Sequence, residues 1–126
     1  MPGIHIKNLF LRDRKKRNFL LVAEEDRKID LKRLSNLIGC DRLSFGSAER
    51  LMEMLGVRPG AVSPFSLIND PNHKVSLLVD TALQTDQRIY AHPLVNDITL
   101  GIEGGGLSRY FAHLGHEPRW LDLGHL

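Results

Sequence analysis

Gly3-Ile4-His5-Ile6-Lys7-Asn8-Leu9-Phe10-Leu11 is the stretch on which the reading of this 126-residue chain turns. It is apolar and strand-like, yet a lysine sits inside it. Strand alternation puts Ile4, Ile6, Asn8 and Phe10 on one face and His5, Lys7, Leu9 and Leu11 on the other. The second face therefore combines an imidazole and an amine with two leucines of core character. Lysine is seldom buried without a partner, so a lysine turned toward a half-buried surface is a candidate functional group. The ordinary alternative is a stem packed on apolar neighbours with its amine in water.

Working outward, Phe19-Leu20-Leu21-Val22-Ala23-Glu24 reads as a second strand. The charged run Arg12-Asp13-Arg14-Lys15-Lys16-Arg17 reads as the hairpin connection between the two. Asp30 can cap a helix with apolar positions Leu31, Leu34, Leu37 and Ile38, ended by Gly39. After a short strand at Arg42–Phe45, Ser47 can cap a second helix that buries Leu51, Met54 and Leu55 and stops at Gly56. Further strands are expected at residues 65–68, 74–79, 88–91, 98–102 and 119–123. A helical turn is expected at 81–83, and a helix from Leu107 to Leu114. Hairpin-like groups of strands interrupted by helices predict a mixed α/β fold. Its core would be a curved, largely antiparallel, barrel-like sheet flanked by helices. Length and the lack of repeats or linkers predict one domain over residues 1–126.

Composition narrows the function classes. Hydrophobic and charged contents of 42% and 25% are those of an ordinary globular chain. The single cysteine, Cys40, cannot form an internal disulfide, which suits a reducing compartment, most simply a cytoplasm. No apolar run is long enough to span a bilayer, and no signal-peptide layout opens the chain. A net charge of +2 says little about nucleic acid, but the 12–17 run could contact phosphates with Arg12, Arg14, Lys15, Lys16 and Arg17. A solvated hairpin tip is the plainer reading of that run. His113 and His116 lack a recognisable metal-ligand spacing, and no P-loop, dinucleotide fingerprint or nucleophile elbow is present.

Two other segments are candidates for a site. In Gly60-Ala61-Val62-Ser63-Pro64, small residues would let a ligand approach backbone amides able to hold a carbonyl or oxyanion. In His92-Pro93-Leu94-Val95-Asn96, proline biases His92 toward an extended backbone, and Asn96 could bond a ligand. Each segment alone also reads as a plain turn.

Together and in this order, these segments resemble one family. It is the aminoacyl-tRNA deacylases related to the editing domain inserted in bacterial prolyl-tRNA synthetase, the YbaK/ProX group. The resemblance runs through Gly3–Asp13, Leu43-Ser44-Phe45-Gly46, Gly60–Asp70 and Tyr90–Thr99, and looks closest to the ProX branch. It implies a trans-editing deacylase that hydrolyses the ester of mischarged tRNA, with alanyl-tRNA(Pro) as substrate. It implies Lys7 as the key functional residue. Gly60, Ala61, Val62, Ser63 and Pro64 would form the substrate loop, with His5, Asn8, His92 and Asn96 around the substrate. It implies the tRNA acceptor end as partner, with prolyl-tRNA synthetase as a candidate second partner, and no metal or organic cofactor. Family members usually carry several dozen residues ahead of the first motif. This sequence starts at the motif, so the domain is expected to be N-terminally short. Ile6 stands where threonine is common in the ProX branch. The competing expectation is a non-catalytic nucleic-acid-binding module, or an editing domain that has lost its activity.

Overall fold

The computed structural model describes residues 4–58, 70, 74–83, 88–91, 100–103, 109 and 111–123. Strand β1 spans Ile4–Arg12 and β2 spans Asn18–Glu24. Helix α1 (Leu31–Ile38), β3 (Ser44–Phe45) and α2 (Ala48–Leu55) follow. Then come β4 (Val75–Asp80), a 3-10 turn at Thr81–Leu83, β5 (Arg88–Ala91), β6 (Leu100–Glu103) and β7 (Arg119–Leu121).

The strands form one sheet in the order β6-β5-β1-β2-β4-β7, with β3 pairing β1. The β1–β2 hairpin is antiparallel, with Lys7 opposite Ala23 and Arg12 opposite Asn18. The β1–β3 and β5–β6 pairs are also antiparallel. By contrast, β1–β5, β2–β4 and β4–β7 are parallel. The expected largely antiparallel, barrel-like sheet is thus corrected to an open, evenly mixed one. The physical reason lies in the connections. Parallel neighbours need a crossover of a dozen or more residues, and the segment carrying α1 and α2 supplies one between β2 and β4. Closure would need the edges to meet, and among the described residues the strand order ends at β6 and β7 without pairing them.

Helices cover both faces, which is why β2 reads as an unbroken apolar run rather than an alternating one. On one face Leu51, Leu55 and Val57, from α2 and just beyond it, pack with Phe111 against Ile6, Phe10, Leu20, Val22, Leu77 and Val79. On the other, Leu34 and Ile38 of α1 pack with Leu43 and Leu121 against Leu11, Phe19, Leu21, Ala23 and Leu78. Leu20, Leu21, Val22 and Ala23 have no exposed surface at all. Truncating a leucine at that centre costs about 2–5 kcal/mol.

The helix boundaries follow local chemistry. The Asp30 carboxylate accepts from the Lys32 and Arg33 N–H groups at 3.0 and 3.3 Å. The Ser47 hydroxyl accepts from the Arg50 N–H at 3.1 Å. Each cap satisfies donors that the helix itself leaves open. Gly46 has a different job: a Cβ there would collide with the Phe10 ring. Its N–H donates to the Phe10 carbonyl at 2.9 Å, which closes β3 onto β1. The Leu43–Gly46 motif therefore has a packing explanation.

Candidate functional site

The candidate site lies where β1 meets the turn after β2. Lys7 is half-buried and lies on the α1 side of the sheet, with Leu9 and Leu11. Its ammonium donates to the main-chain carbonyl of Arg27. That carbonyl belongs to the turn leaving β2, and the turn is bonded on several sides. The Glu25 N–H donates to the His5 carbonyl at 2.8 Å, and the Arg27 N–H to the Glu24 carbonyl at 3.0 Å.

Asp80, the last residue of β4, closes the arrangement. Its Oδ2 accepts from the Glu24 N–H at 3.2 Å and from Arg27 Nε at 3.1 Å. Its Oδ1 accepts from the Ala82 N–H at 3.0 Å. The carboxylate has no exposed surface, while the Arg27 side chain is 30% exposed. A buried carboxylate is stable only when charge and hydrogen bonds answer it, and here both do.

The residues expected around Lys7 separate. His5 shares its face of β1 and is exposed. Asn8, the next residue along, falls on the opposite face between Ile6 and Phe10, as a strand requires. Asn8 Oδ1 is buried and has no hydrogen-bond partner among the described residues. Gly60, Ala61, Val62, Ser63, Pro64, His92 and Asn96 lie outside the described residues. Strand β5, which ends at Ala91 just before the 92–96 segment, pairs with β1 at Ile4 and His5.

The basic run divides as well. Arg14, Lys15 and Lys16 are exposed, and Arg12 is half-buried. Asp13, by contrast, is buried and organises the turn. Its carboxylate accepts from the Arg17 N–H at 2.9 Å and Arg17 Nε at 2.7 Å. Lys16 takes the left-handed conformation, φ 65°, that closes the turn. Burial pushes the Asp13 carboxyl up, but the hydrogen bonds and charge of Arg17 outweigh it and hold it below the usual carboxylate range. Arg17 is thus already engaged within the hairpin. The tip lies about 17 Å along the strand from Lys7.

Sequence reasoning missed Asp80 and Arg27, because their partnership spans 53 residues. It also missed Asp70 and His116. The Asp70 carboxylate accepts from the Lys74 and Val75 N–H groups, both at 2.9 Å. His116 Nε2 lies 3.2 Å from the Asp70 carbonyl. A carbonyl only accepts, so that nitrogen carries the proton. His116 is accordingly a structural tie. Among the described residues no group of three or more His, Cys, Asp or Glu is placed to hold a metal ion. Burial pushes the Cys40 thiol up, as suits an unreactive cysteine. A cavity of about 530 Å³ lies between Arg17, Phe19, Cys40, Ser76, His116 and Arg119, away from Lys7. Among the described residues no helix is long and apolar enough to cross a membrane.

An open mixed sheet that presents one lysine beside a clamped turn defines a small α/β domain with a polar site at a sheet end. The model of the aminoacyl-tRNA editing domain matches residues 2–110. A prolyl-tRNA editing protein, ProX, of Acetoanaerobium sticklandii is 45% identical over 119 residues, 94% of this chain and 73% of that protein. A prolyl-tRNA synthetase associated domain-containing protein of Danio rerio is 35% identical over 98% of this chain and 68% of its own length. Among solved structures, a scaffold from a study of computational epitope grafting shares the fold, with a TM-score of 0.73 at 19% identity. That match covers 95% of this chain and 70% of the scaffold. The chain belongs to the aminoacyl-tRNA editing domain family. Its activity class is that of a deacylase that hydrolyses the aminoacyl ester of tRNA.

Proposed function

We propose that this chain acts in trans on alanyl-tRNA(Pro), removing mischarged alanine, with Lys7 as the residue that holds the substrate at the reacting ester. The observation that carries the reading is the Lys7 ammonium, set on a half-buried strand and oriented by the Arg27 carbonyl. The likeness to a ProX prolyl-tRNA editing protein over 94% of the chain supports the choice of tRNA.

An ester asks for a positioned nucleophile and a stabilised oxyanion more than for a strong base. Water attacks the ester carbonyl, assisted by the neighbouring ribose hydroxyl. The C–O bond to the terminal ribose breaks, and alanine and tRNA leave, the ribose oxygen taking a proton. Lys7 binds the terminal phosphate or ribose. Amides of the 60–64 segment hold the developing oxyanion, His92 with apolar neighbours limits the size of the amino acid, and Asn96 hydrogen-bonds the substrate. His5 and Asn8 contribute from the two faces of β1. Size exclusion discriminates by about 1–3 kcal/mol per methylene, enough to favour alanine over bulkier groups. Arg12, Arg14, Lys15 and Lys16 contact phosphates farther along the same tRNA, with Arg17 buttressing their turn. A prolyl-tRNA synthetase is a fitting source of the substrate, and a cytoplasm the fitting compartment.

The test is hydrolysis of alanyl-tRNA(Pro) measured beside prolyl-tRNA(Pro), other aminoacyl-tRNAs and a free alanyl ester. Preferential release of alanine from alanyl-tRNA(Pro) is expected. Salt-sensitive tRNA binding with no ester hydrolysis would instead establish a non-catalytic binding module.

A further inference from the structure

We infer that Asp80 and Arg27 are positioning residues for Lys7: the buried carboxylate holds the arginine, and the arginine's own carbonyl holds the amine. The inference rests on the reading that Lys7 serves the ester substrate, and it adds residues that the motifs did not contain.

Three features of the geometry carry it. First, Asp80 bonds to three separate pieces of chain: the end of β2 at Glu24, the turn at Arg27 and the start of the 3-10 turn at Ala82. A carboxylate used only to cap its own turn would need the Ala82 bond alone. Second, the arginine it selects is the residue whose carbonyl receives Lys7. The ion pair anchors the side chain of the very residue whose carbonyl meets Lys7, so releasing it frees that short turn to shift. Third, the turn is tied to β1 beside the lysine through Glu25 N–H and the His5 carbonyl. The acceptor and the strand that carries the donor are thereby held in one frame.

The consequence is chemical. An ammonium has three N–H donors and no acceptor. One is committed to the Arg27 carbonyl, which leaves two for substrate oxygens. A lysine stem otherwise samples many rotamers, and fixing it before the substrate arrives is the preorganisation that electrostatic catalysis requires. Arg27 is partly exposed, so its side chain can be changed without opening the core.

The experiment compares the wild type with Arg27→Ala, Arg27→Lys and Asp80→Asn. Each protein is melted, assayed for kcat and KM on alanyl-tRNA(Pro), and treated with formaldehyde and borohydride. Methylation at Lys7 is then timed by peptide mass spectrometry. A misplacement of the order of 1 Å costs about 100-fold in rate, so Arg27→Ala and Asp80→Asn should lower kcat by about that factor. KM should rise by a smaller factor than kcat falls, because Lys7 both binds the terminal phosphate or ribose and is needed in place at the transition state. Lys7 should methylate several-fold faster in both variants, and Arg27→Lys, which restores a cation to Asp80, should recover most of the kcat. Wild-type kcat and wild-type Lys7 methylation in a folded Arg27→Ala protein would overturn the inference. Losses that Arg27→Lys fails to recover would also overturn it. If Asp80→Asn does not fold, the Arg27 pair decides alone. If the wild type itself fails to hydrolyse alanyl-tRNA, the functional reading falls, and the methylation rates still decide whether Asp80 and Arg27 position Lys7.

Discussion

The two turns that flank β2 are held by the same chemistry and put to different uses. Before the strand, buried Asp13 grips Arg17 and shapes a tip that exposes Arg14, Lys15 and Lys16. After it, buried Asp80 grips Arg27 and shapes a turn that offers a carbonyl to Lys7. The first pair is four residues apart and closes a loop that the hairpin already demands. The second joins residues from distant parts of the chain and has no role until β4 lies beside β2. The local carboxylate shapes an exposed tip, whereas the remote one holds the residue whose carbonyl meets Lys7.

The sharpest way to test that contrast is to remove the amine itself. Lys7→Ala should lower deacylation of alanyl-tRNA(Pro) by at least about 100-fold, the scale set by losing an oriented group at the reacting centre. Its melting temperature should hold within a few degrees, since only a half-buried amine and stem are lost. Full activity in that variant would leave the turn after β2 with no more function than the turn before it.

Stability separates the two aspartates next. Asp80→Ala strands the Arg27 guanidinium and two backbone N–H groups, and should cost about 3 kcal/mol in denaturant unfolding. Asp13→Ala should cost about 1–2 kcal/mol, because half-exposed Arg17 can turn to water. Equal losses would erase the distinction between a remote and a local tie.

Acid should reveal the local pair. The Asp13 carboxyl is lowered in the folded protein, so its stabilisation is present above the unfolded value of 3.8 and disappears as pH falls through the lower folded value. The stability gap between wild type and Asp13→Asn should therefore narrow between neutral pH and about pH 3. A gap that widens on acidification would contradict the bonding seen at Arg17.

The smallest effect is expected at the tip. Replacing Arg14, Lys15 and Lys16 together by alanine should raise KM for the tRNA several-fold and flatten its salt dependence by up to about three counterions. The kcat should be unchanged, because these side chains lie a strand's length from Lys7.

Much of the fold was legible because the signals are local. The apolar alternation of Ile4–Arg12, the caps Asp30 and Ser47 and the stops Gly39 and Gly56 each act within a few residues, and each element stands where they put it. The same alternation placed Lys7 and Asn8 on opposite faces of β1. The expectation of a mostly antiparallel barrel went wrong because strand direction depends on where a crossover lands. The apolar β2 is compatible with either kind of neighbour. Asp70, Asp80 and His116 were illegible for a related reason: nothing in the neighbouring sequence reveals a partner some fifty residues away.

By itself, then, the sequence determined a strand carrying a lysine out of character with its surroundings, two capped helices, a basic hairpin and membership of an editing family. These rest on periodicity, capping and motif order, which are properties of neighbouring residues. Only the tertiary structure decided that β4 runs parallel to β2. That pairing brings the buried Asp80 carboxylate to the Arg27 turn, and the Arg27 carbonyl to Lys7. Desolvation is the physical reason: a carboxylate without exposed surface must find its donors wherever the fold delivers them, and here they lie on the turn that holds the amine.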